Sequence, residues 1–251
     1  MRIVVLGETC TDRFIYSEIK RLSPEAPVPV LNPIETVENP GMSGNVVQNL
    51  KALSEGVEIV HVHQDEIITK TRFIEKKSNH MFVRVDEGEG TAIKGLEYDL
   101  LPEYVYDMIT DSDATIVSDY DKGLMSIDFM NDVARDSHVS VLDSKKKLDK
   151  SVVNYFTFIK LNESEAEYNK ELVALFPEKF LVTLGAKGVH YNGKLYPSQN
   201  PQETIDVSGA GDTFVAAFTL KFVETGDTSE AINYANEMAG RVVTKRGVAT
   251  P

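Results

Sequence analysis

Again and again along this chain, a short apolar run of strand length stops in a polar cluster and a helical pattern follows. Thr115-Ile-Val-Ser118 ends in Asp119-Tyr-Asp-Lys-Gly123, and Val139-Ser-Val-Leu142 ends in Asp143-Ser-Lys145. Phe156-Thr-Phe-Ile159 ends in Lys160-Leu-Asn-Glu-Ser-Glu165, and Lys179-Phe-Leu-Val-Thr183 ends in Leu184-Gly-Ala-Lys-Gly188. The first such run, Arg2-Ile-Val-Val-Leu-Gly7, shows no polar alternation. A strand apolar on both sides needs cover on both sides. The expected class is therefore α/β, a doubly wound and mostly parallel sheet with helices on both faces. In such sheets ligands sit beyond the carboxyl ends of the strands, so the polar clusters all fall along one edge.

The stretch Glu203-Thr-Ile-Asp-Val-Ser-Gly-Ala-Gly-Asp-Thr-Phe214 is the most informative of these clusters. Gly209, Ala210 and Gly211 are tiny, Asp212 follows, and an apolar run from Phe214 to Val223 reads as a buried helix. Small residues at a helix start leave bare N–H groups facing outward, where the helix dipole favours an anion. An acid at the end of that turn is placed to take a proton from a group attacking the anion. A plainer reading is a Ser-capped helix whose glycines serve close packing. The clusters at four other strand ends favour a site.

Residues 14–36 break the alternation. Ser23-Pro-Glu-Ala-Pro-Val-Pro29 cannot be a central strand, and the apolar residues around it argue for edge strands forming a flap. Thr69–Glu75 and Met81–Asp86 read as a hairpin across Lys77-Ser-Asn-His80. Together the two segments, about 13–36 and 69–87, make a small β-sheet lid on a single domain spanning 1–251. Arg72, Arg84 and Asp86 on the hairpin read as solvated charges. Gly41-Met-Ser-Gly-Asn45 opens a helix with Val46, Val47, Leu50 and Leu53 on one face, a second candidate site suited to hydroxyls. Asp12, just past the first strand, is either a ligand contact or a turn residue.

A net charge of −13 speaks against a nucleic-acid binder, so an anionic ligand must be met by local donors. The lone Cys10 excludes an intramolecular disulfide and fits a reducing compartment. No apolar run approaches a membrane span and no N-terminal signal is visible, so a cytoplasmic protein is expected. The five histidines are scattered, which gives no zinc pattern, and no Walker sequence occurs.

Asp206-Val-Ser-Gly-Ala-Gly-Asp212, preceded by Asn162-x-x-Glu165 and Val182-Thr-Leu-Gly-x-x-Gly188, resembles the signature of the ribokinase/PfkB-type carbohydrate kinases. Asp12-Arg13, Ser23-Pro-Glu-Ala-Pro-Val-Pro-Val30, Pro40-Gly41 with Asn45 and Asn49, and Ser118-Asp-Tyr-x-Lys-Gly123 resemble more narrowly the D-glycero-beta-D-manno-heptose 7-phosphate kinase domain of bifunctional ADP-heptose synthases. The resemblance covers nearly the whole chain. It implies a ribokinase-like fold and transfer of the ATP gamma-phosphoryl to the anomeric hydroxyl, giving the 1,7-bisphosphate. It implies Asp212 as base and the N–H groups of Gly209, Ala210 and Gly211 as anion hole. Asp12, Gly41, Asn45 and Lys122 are implied at the sugar phosphate, and Lys145, Thr183, Gly185, Gly188 and Asn236 at the nucleotide. Asn162 and Glu165 are implied to organise magnesium (Mg) through water, and Asp206 either shapes the turn or helps position a monovalent cation such as potassium (K). It further implies a homodimer through the lid and a separate nucleotidyltransferase in the pathway.

The chain departs from that pattern in several places. Met42 stands where the family has the second of two glycines, Gly7-Glu8 replaces Gly-Asp, and Asp143-Ser-Lys145 replaces Asp-Pro-Lys. Between Val62 and Thr69 a strand–helix unit of about 20–30 residues is missing, and the sequence stops at Pro251 before the family's last helix, with no nucleotidyltransferase following. Another PfkB-type sugar or sugar-phosphate kinase is therefore an alternative, and a non-catalytic sugar-phosphate sensor a further one.

Overall fold

The computed structural model describes residues 1–89, 93–198, 208–244 and 250–251. Twelve strands and eight α-helices lie in the described residues, in two sheets. The larger sheet is built from β1 (Arg2–Gly7), β4 (Glu58–Val62), β7 (Ala114–Asp119), β8 (Ser140–Ser144), β9 (Phe158–Asn162), β10 (Phe180–Thr183), β11 (Val189–Tyr191) and β12 (Lys194–Tyr196). Their order is β12-β11-β10-β9-β8-β7-β1-β4, parallel from β4 to β10 and antiparallel through β11 and β12. Asn192 and Gly193 carry the β11–β12 turn, both at positive φ (46° and 75°), the geometry a two-residue hairpin needs to follow strand twist.

Successive residues of the central strands feed opposite cores. Ile3, Val5, Ile116 and Val141 pack on one side, with α1 (Ser43–Leu53), α7 (Ala210–Thr225) and α8 (Thr228–Val242). Val4, Leu6, Val117 and Leu142 pack on the other, with α2 (Glu103–Thr110), α3 (Ile127–Arg135) and α4 (Val152–Tyr155). Short helices α5 (Glu163–Tyr168) and α6 (Lys170–Leu175) follow β9 on that second side. The unbroken apolar runs are thus the two-sided central strands expected of this fold class. On α7, Phe214, Phe218 and Phe222 recur every fourth residue, and the last two meet Phe158 of β9 edge-on at 4.9 and 4.8 Å. Those contacts fix where the helix begins and, with it, Asp212.

The smaller sheet is β3-β2-β5-β6: β2 (Thr9–Leu22), β3 (Pro29–Met42), β5 (Thr69–Glu75) and β6 (His80–Glu87). Pro29, Pro33 and Pro40 all lie on β3, an edge strand, where a missing N–H costs no ladder bond to a further neighbour. β2 leaves β1 after one intervening residue, Glu8, and β3 runs directly into α1. The chain passes from β4 to β5 across residues 63–68 alone, without a further strand–helix unit. No helix among the described residues is long and apolar enough to cross a membrane.

Candidate active site

Gly209 is the N-cap of α7 and adopts the left-handed conformation, φ 80° and ψ −4°. The turn that glycine permits aims the first N–H groups of α7, which have no acceptor within the helix, at the carboxyl edge of the sheet. Asp212 lies in this first turn, 6% exposed. Asn45 Nδ2 donates to one of its oxygens at 2.8 Å and the Tyr120 hydroxyl to the other at 2.8 Å. Burial, with Asp143 nearby, pushes the Asp212 carboxyl up to about 6, while the bonds from Asn45 and Tyr120 and the charge of Lys160 pull the other way. A carboxylate so poised is a competent proton acceptor near neutral pH.

Asn45, expected at the sugar, thus holds the candidate base itself. Its own carbonyl oxygens accept from Asn49, whose Oδ1 accepts from Thr213 beside Asp212. That closed path ties the start of α1 to the start of α7 on one side of the sheet. Tyr120 comes from the loop after β7, and its N–H, with those of Lys122 and Leu124, donates to the buried carboxylate of Glu8 at 2.8, 3.0 and 3.3 Å. Glu8 is fully buried, so the acid standing where the family has Asp serves as the anchor of that loop.

A cleft of about 470 Å³ opens beside Asp212, lined in part by Gly209, Gly211, Tyr120, Asp143, Lys145, Lys160, Asn162, Thr183 and Gly185. Of the expected nucleotide residues, Lys145, Thr183 and Gly185 border it. Gly188 and Asn236 do not: Gly188, at φ 99°, packs under the Tyr196 carbonyl, and Asn236 Nδ2 donates to that same carbonyl at 3.1 Å. Asn162 and Glu165 form a reciprocal cap on α5, Asn162 Oδ1 accepting from Glu165 N at 2.9 Å and Glu165 Oε2 from Asn162 N at 2.7 Å. The other Glu165 oxygen pairs with Lys145. Both carboxylate oxygens are thus already engaged, which leaves lone pairs for water rather than a vacant ligand set. Oxygen donors of this kind fit a hydrated magnesium ion held chiefly by phosphates. Among the described residues no cluster of three His, Cys, Asp or Glu forms a metal cage. Asp206 lies outside the described residues.

On the flap side, Asp12 is buried and accepts from Arg72 at 2.5 Å, and Arg72 lies over the Phe14 ring at 5.0 Å. Arg72 is therefore not a solvated charge, whereas Arg84 and Asp86 are paired on the exposed strand β6. Gly41 touches the Asp12 carboxylate so closely that a Cβ would come within 2.2 Å of its oxygen. Lys122 and Lys70 converge on Glu89, each at 3.2 Å. Met42, buried at φ 56° and ψ −133°, clusters with Cys10, Ile68 and Tyr120.

Sequence reasoning missed Tyr120, Glu8 and Lys160 as site residues. Tyr120 stood inside the Ser118-Asp-Tyr-x-Lys-Gly123 match, and that placement was the available signal. Glu8 carried a signal in standing where the family has Asp, whereas Lys160 gave none, because a lone lysine at a strand end looks like any other until the sheet sets its neighbours.

The profile of the pfkB family of carbohydrate kinases matches residues 48–251. The bifunctional protein HldE of Helicobacter pylori (strain J99 / ATCC 700824) is 29% identical over 295 aligned positions, covering 99% of this chain and 64% of that protein. HldE of Coxiella burnetii (strain Dugway 5J108-111) is 31% identical over 292, covering 99% and 61%. This chain therefore spans less than two thirds of either protein. Alignments longer than its 251 residues also mean that these relatives carry segments it lacks. Among solved structures, Arabidopsis thaliana ribokinase complexed with ribose and ATP superposes with a TM-score of 0.72 at 15% identity, covering 98% of this chain and 93% of that one. Phosphofructokinase-2 from Escherichia coli in complex with potassium gives 0.72 at 14%, covering 99% and 94%. The fold is ribokinase-like.

Proposed function

The chain belongs to the pfkB family of carbohydrate kinases, and from that premise we propose that it transfers the γ-phosphoryl group of ATP to the anomeric hydroxyl of D-glycero-beta-D-manno-heptose 7-phosphate. The observation that carries a phosphotransfer reading is the placement of Asp212: a buried carboxylate in the first turn of a helix whose glycine-rich start faces the cleft. The likeness to HldE proteins supports a heptose phosphate over other acceptors.

In this reading the sugar lies between Asp212 and the flap, with its hydroxyl on the Asp212 carboxylate and its ring against Asp12 and Gly41. Lys122 serves its anionic end. ATP lies along Thr183 and Gly185, with Lys145 near its phosphates. The N–H groups of Gly209, Ala210 and Gly211 meet the charge that develops on the phosphoryl oxygens, where preorganised donors are most effective. Asp212 takes the hydroxyl proton as the oxygen attacks. Magnesium, reached by Asn162 and Glu165 through water, would neutralise phosphate charge when bound; Asp206 is assigned to a monovalent cation, potassium by analogy with the phosphofructokinase-2 complex. The four-stranded sheet acts as a lid that excludes water and pairs two subunits. We assign the enzyme to the cytoplasm, where ATP is available.

A coupled ADP-release assay with heptose 7-phosphate against a panel of phosphosugars tests this reading. Turnover fastest on the heptose is expected; preference for another sugar would replace the substrate, and no turnover on any would overturn the kinase reading.

A further inference from the structure

Lys160, in the middle of β9, has no part in the roles given above. Its side chain is 4% exposed, yet it borders the cleft beside Asp212. Nζ lies 3.1 Å from each oxygen of Asp143. It also hangs over the first turn of α7, since a Cβ built on Gly211 would stand 3.0 Å from Nζ and 3.7 Å from Cε. The ammonium therefore occupies the rim of the anion cradle, on the same side as the base.

The charge balance of the site points the same way. Asp143, Glu165 and Asp212 surround two ammonium groups, Lys145 and Lys160, and Lys145 is committed to Glu165. ATP would bring still more negative charge into this space. An ammonium has three N–H donors; the Asp143 carboxylate takes at most two of them, which leaves at least one for a further acceptor. A fixed cation that is already desolvated and held by a buried partner does not have to reorganise as charge develops.

Building on the kinase reading, we propose that Lys160 is a catalytic residue that donates its remaining N–H to a non-bridging oxygen of the phosphoryl group in transit, with Asp143 as the positioning residue that holds it there. The bond from the sugar oxygen to phosphorus forms while the bond from phosphorus to the ADP oxygen breaks, its electron pair leaving with ADP. The hydroxyl proton goes to Asp212. Lys160 keeps its three protons throughout and supplies charge alone.

The test compares wild type with Lys160→Met, Lys160→Arg and the double variant Asp143→Asn/Lys160→Met, which removes both buried charges together and so avoids leaving a carboxylate unpaired. Turnover is read with its KM, and calorimetry measures the binding of ADP alone and of ADP with aluminium fluoride, a mimic of the phosphoryl group in flight. Loss of one such donor is expected to lower kcat by about 10²–10³-fold, with the sugar KM little changed. Binding of ADP alone should persist, while the added affinity from aluminium fluoride disappears. The double variant should stay as slow, and Lys160→Arg should recover part of the rate. Wild-type kcat in Lys160→Met, or its return in the double variant, would overturn the assignment by reducing Lys160 to a counter-ion of Asp143. Those outcomes leave the kinase reading standing, whereas a wild-type protein that turns over no sugar removes both.

Discussion

Asp212 carries opposite demands on stability and on chemistry. Its carboxyl sits at about 6 in the folded protein against an ordinary value of 3.8, chiefly because it is buried. The folded state therefore holds the proton more tightly than the unfolded chain. The group's contribution to stability is complete below about pH 4 and is lost as the pH rises through about 6, by at most about 3 kcal/mol at 1.36 kcal/mol per unit. The kinetic sign is the reverse, since a base must be ionised. Turnover is expected to rise with pH to a plateau above an apparent midpoint near 6, and Asp212→Asn to lower kcat by about 10²–10⁴-fold while gaining thermal midpoint relative to wild type between pH 4 and 7. A flat pH profile would remove Asp212 from the chemistry. Tyr120→Phe deletes a bond that favours the charged carboxylate, so its acid limb should move to higher pH. Met42 holds a positive φ that glycine adopts freely, a strain of about 1–3 kcal/mol. Met42→Gly relieves that strain but empties the space beside Cys10 and Tyr120; a broadened acceptor range in the phosphosugar panel is the expected result.

At the scale of elements, the loop after β7 depends on an acid more than a hundred residues away. Glu8 accepts three N–H groups from Tyr120, Lys122 and Leu124. Glu8→Ala would leave them buried without an acceptor, at about 1–3 kcal/mol each. Denaturant titration should show a loss of several kcal/mol, and Glu8→Gln, which keeps the shape, a smaller one. If Glu8→Ala matched wild type, the loop would not rest on that carboxylate. The same contrast shows what was legible beforehand. Apolar runs such as Ile3–Leu6 and the four-residue spacing of Phe214, Phe218 and Phe222 announce strands and a helix, because periodicity is a local property of the chain. The Gly-Ala-Gly start of α7 was legible too, because backbone freedom is written in residue type. Contacts such as Glu8 with the 120–124 loop, Asn45 with Asp212, or Lys160 with Asp143 join residues 17 to 167 positions apart, and strand order alone brings them together. Arg72 shows the limit from the other side: its charge suggested solvent, and only the pairing of β2 with β5 set it on Asp12.

For the molecule as a whole, the four-stranded sheet poses a problem that one chain does not solve. Cross-strand partners share a face, so the register places Asp12, Lys70 and Asp86 in one row and Phe14, Arg72 and Arg84 in the next. That polar face carries the Asp12–Arg72 pair. The opposite face holds Ile15, Phe73 and Val83 in one row and Arg13, Thr71 and Val85 in the other. Val83 and Val85 are 49% and 41% exposed, and every residue of β6 is exposed. Valines exposed on a sheet face gain from a second layer that buries them, and a second copy of the same sheet is self-complementary about a two-fold axis. We therefore expect a homodimer through this face. Val83→Lys should convert it to a monomer in light scattering coupled to gel filtration. Because β2 joins β1 through Glu8 and β3 runs into α1 at Met42, next to the site, loss of the partner should loosen the lid and raise the sugar KM more than it lowers kcat. A wild-type monomer at micromolar concentration would refute the pairing, and an unchanged KM in a monomeric Val83→Lys variant would separate assembly from closure of the lid.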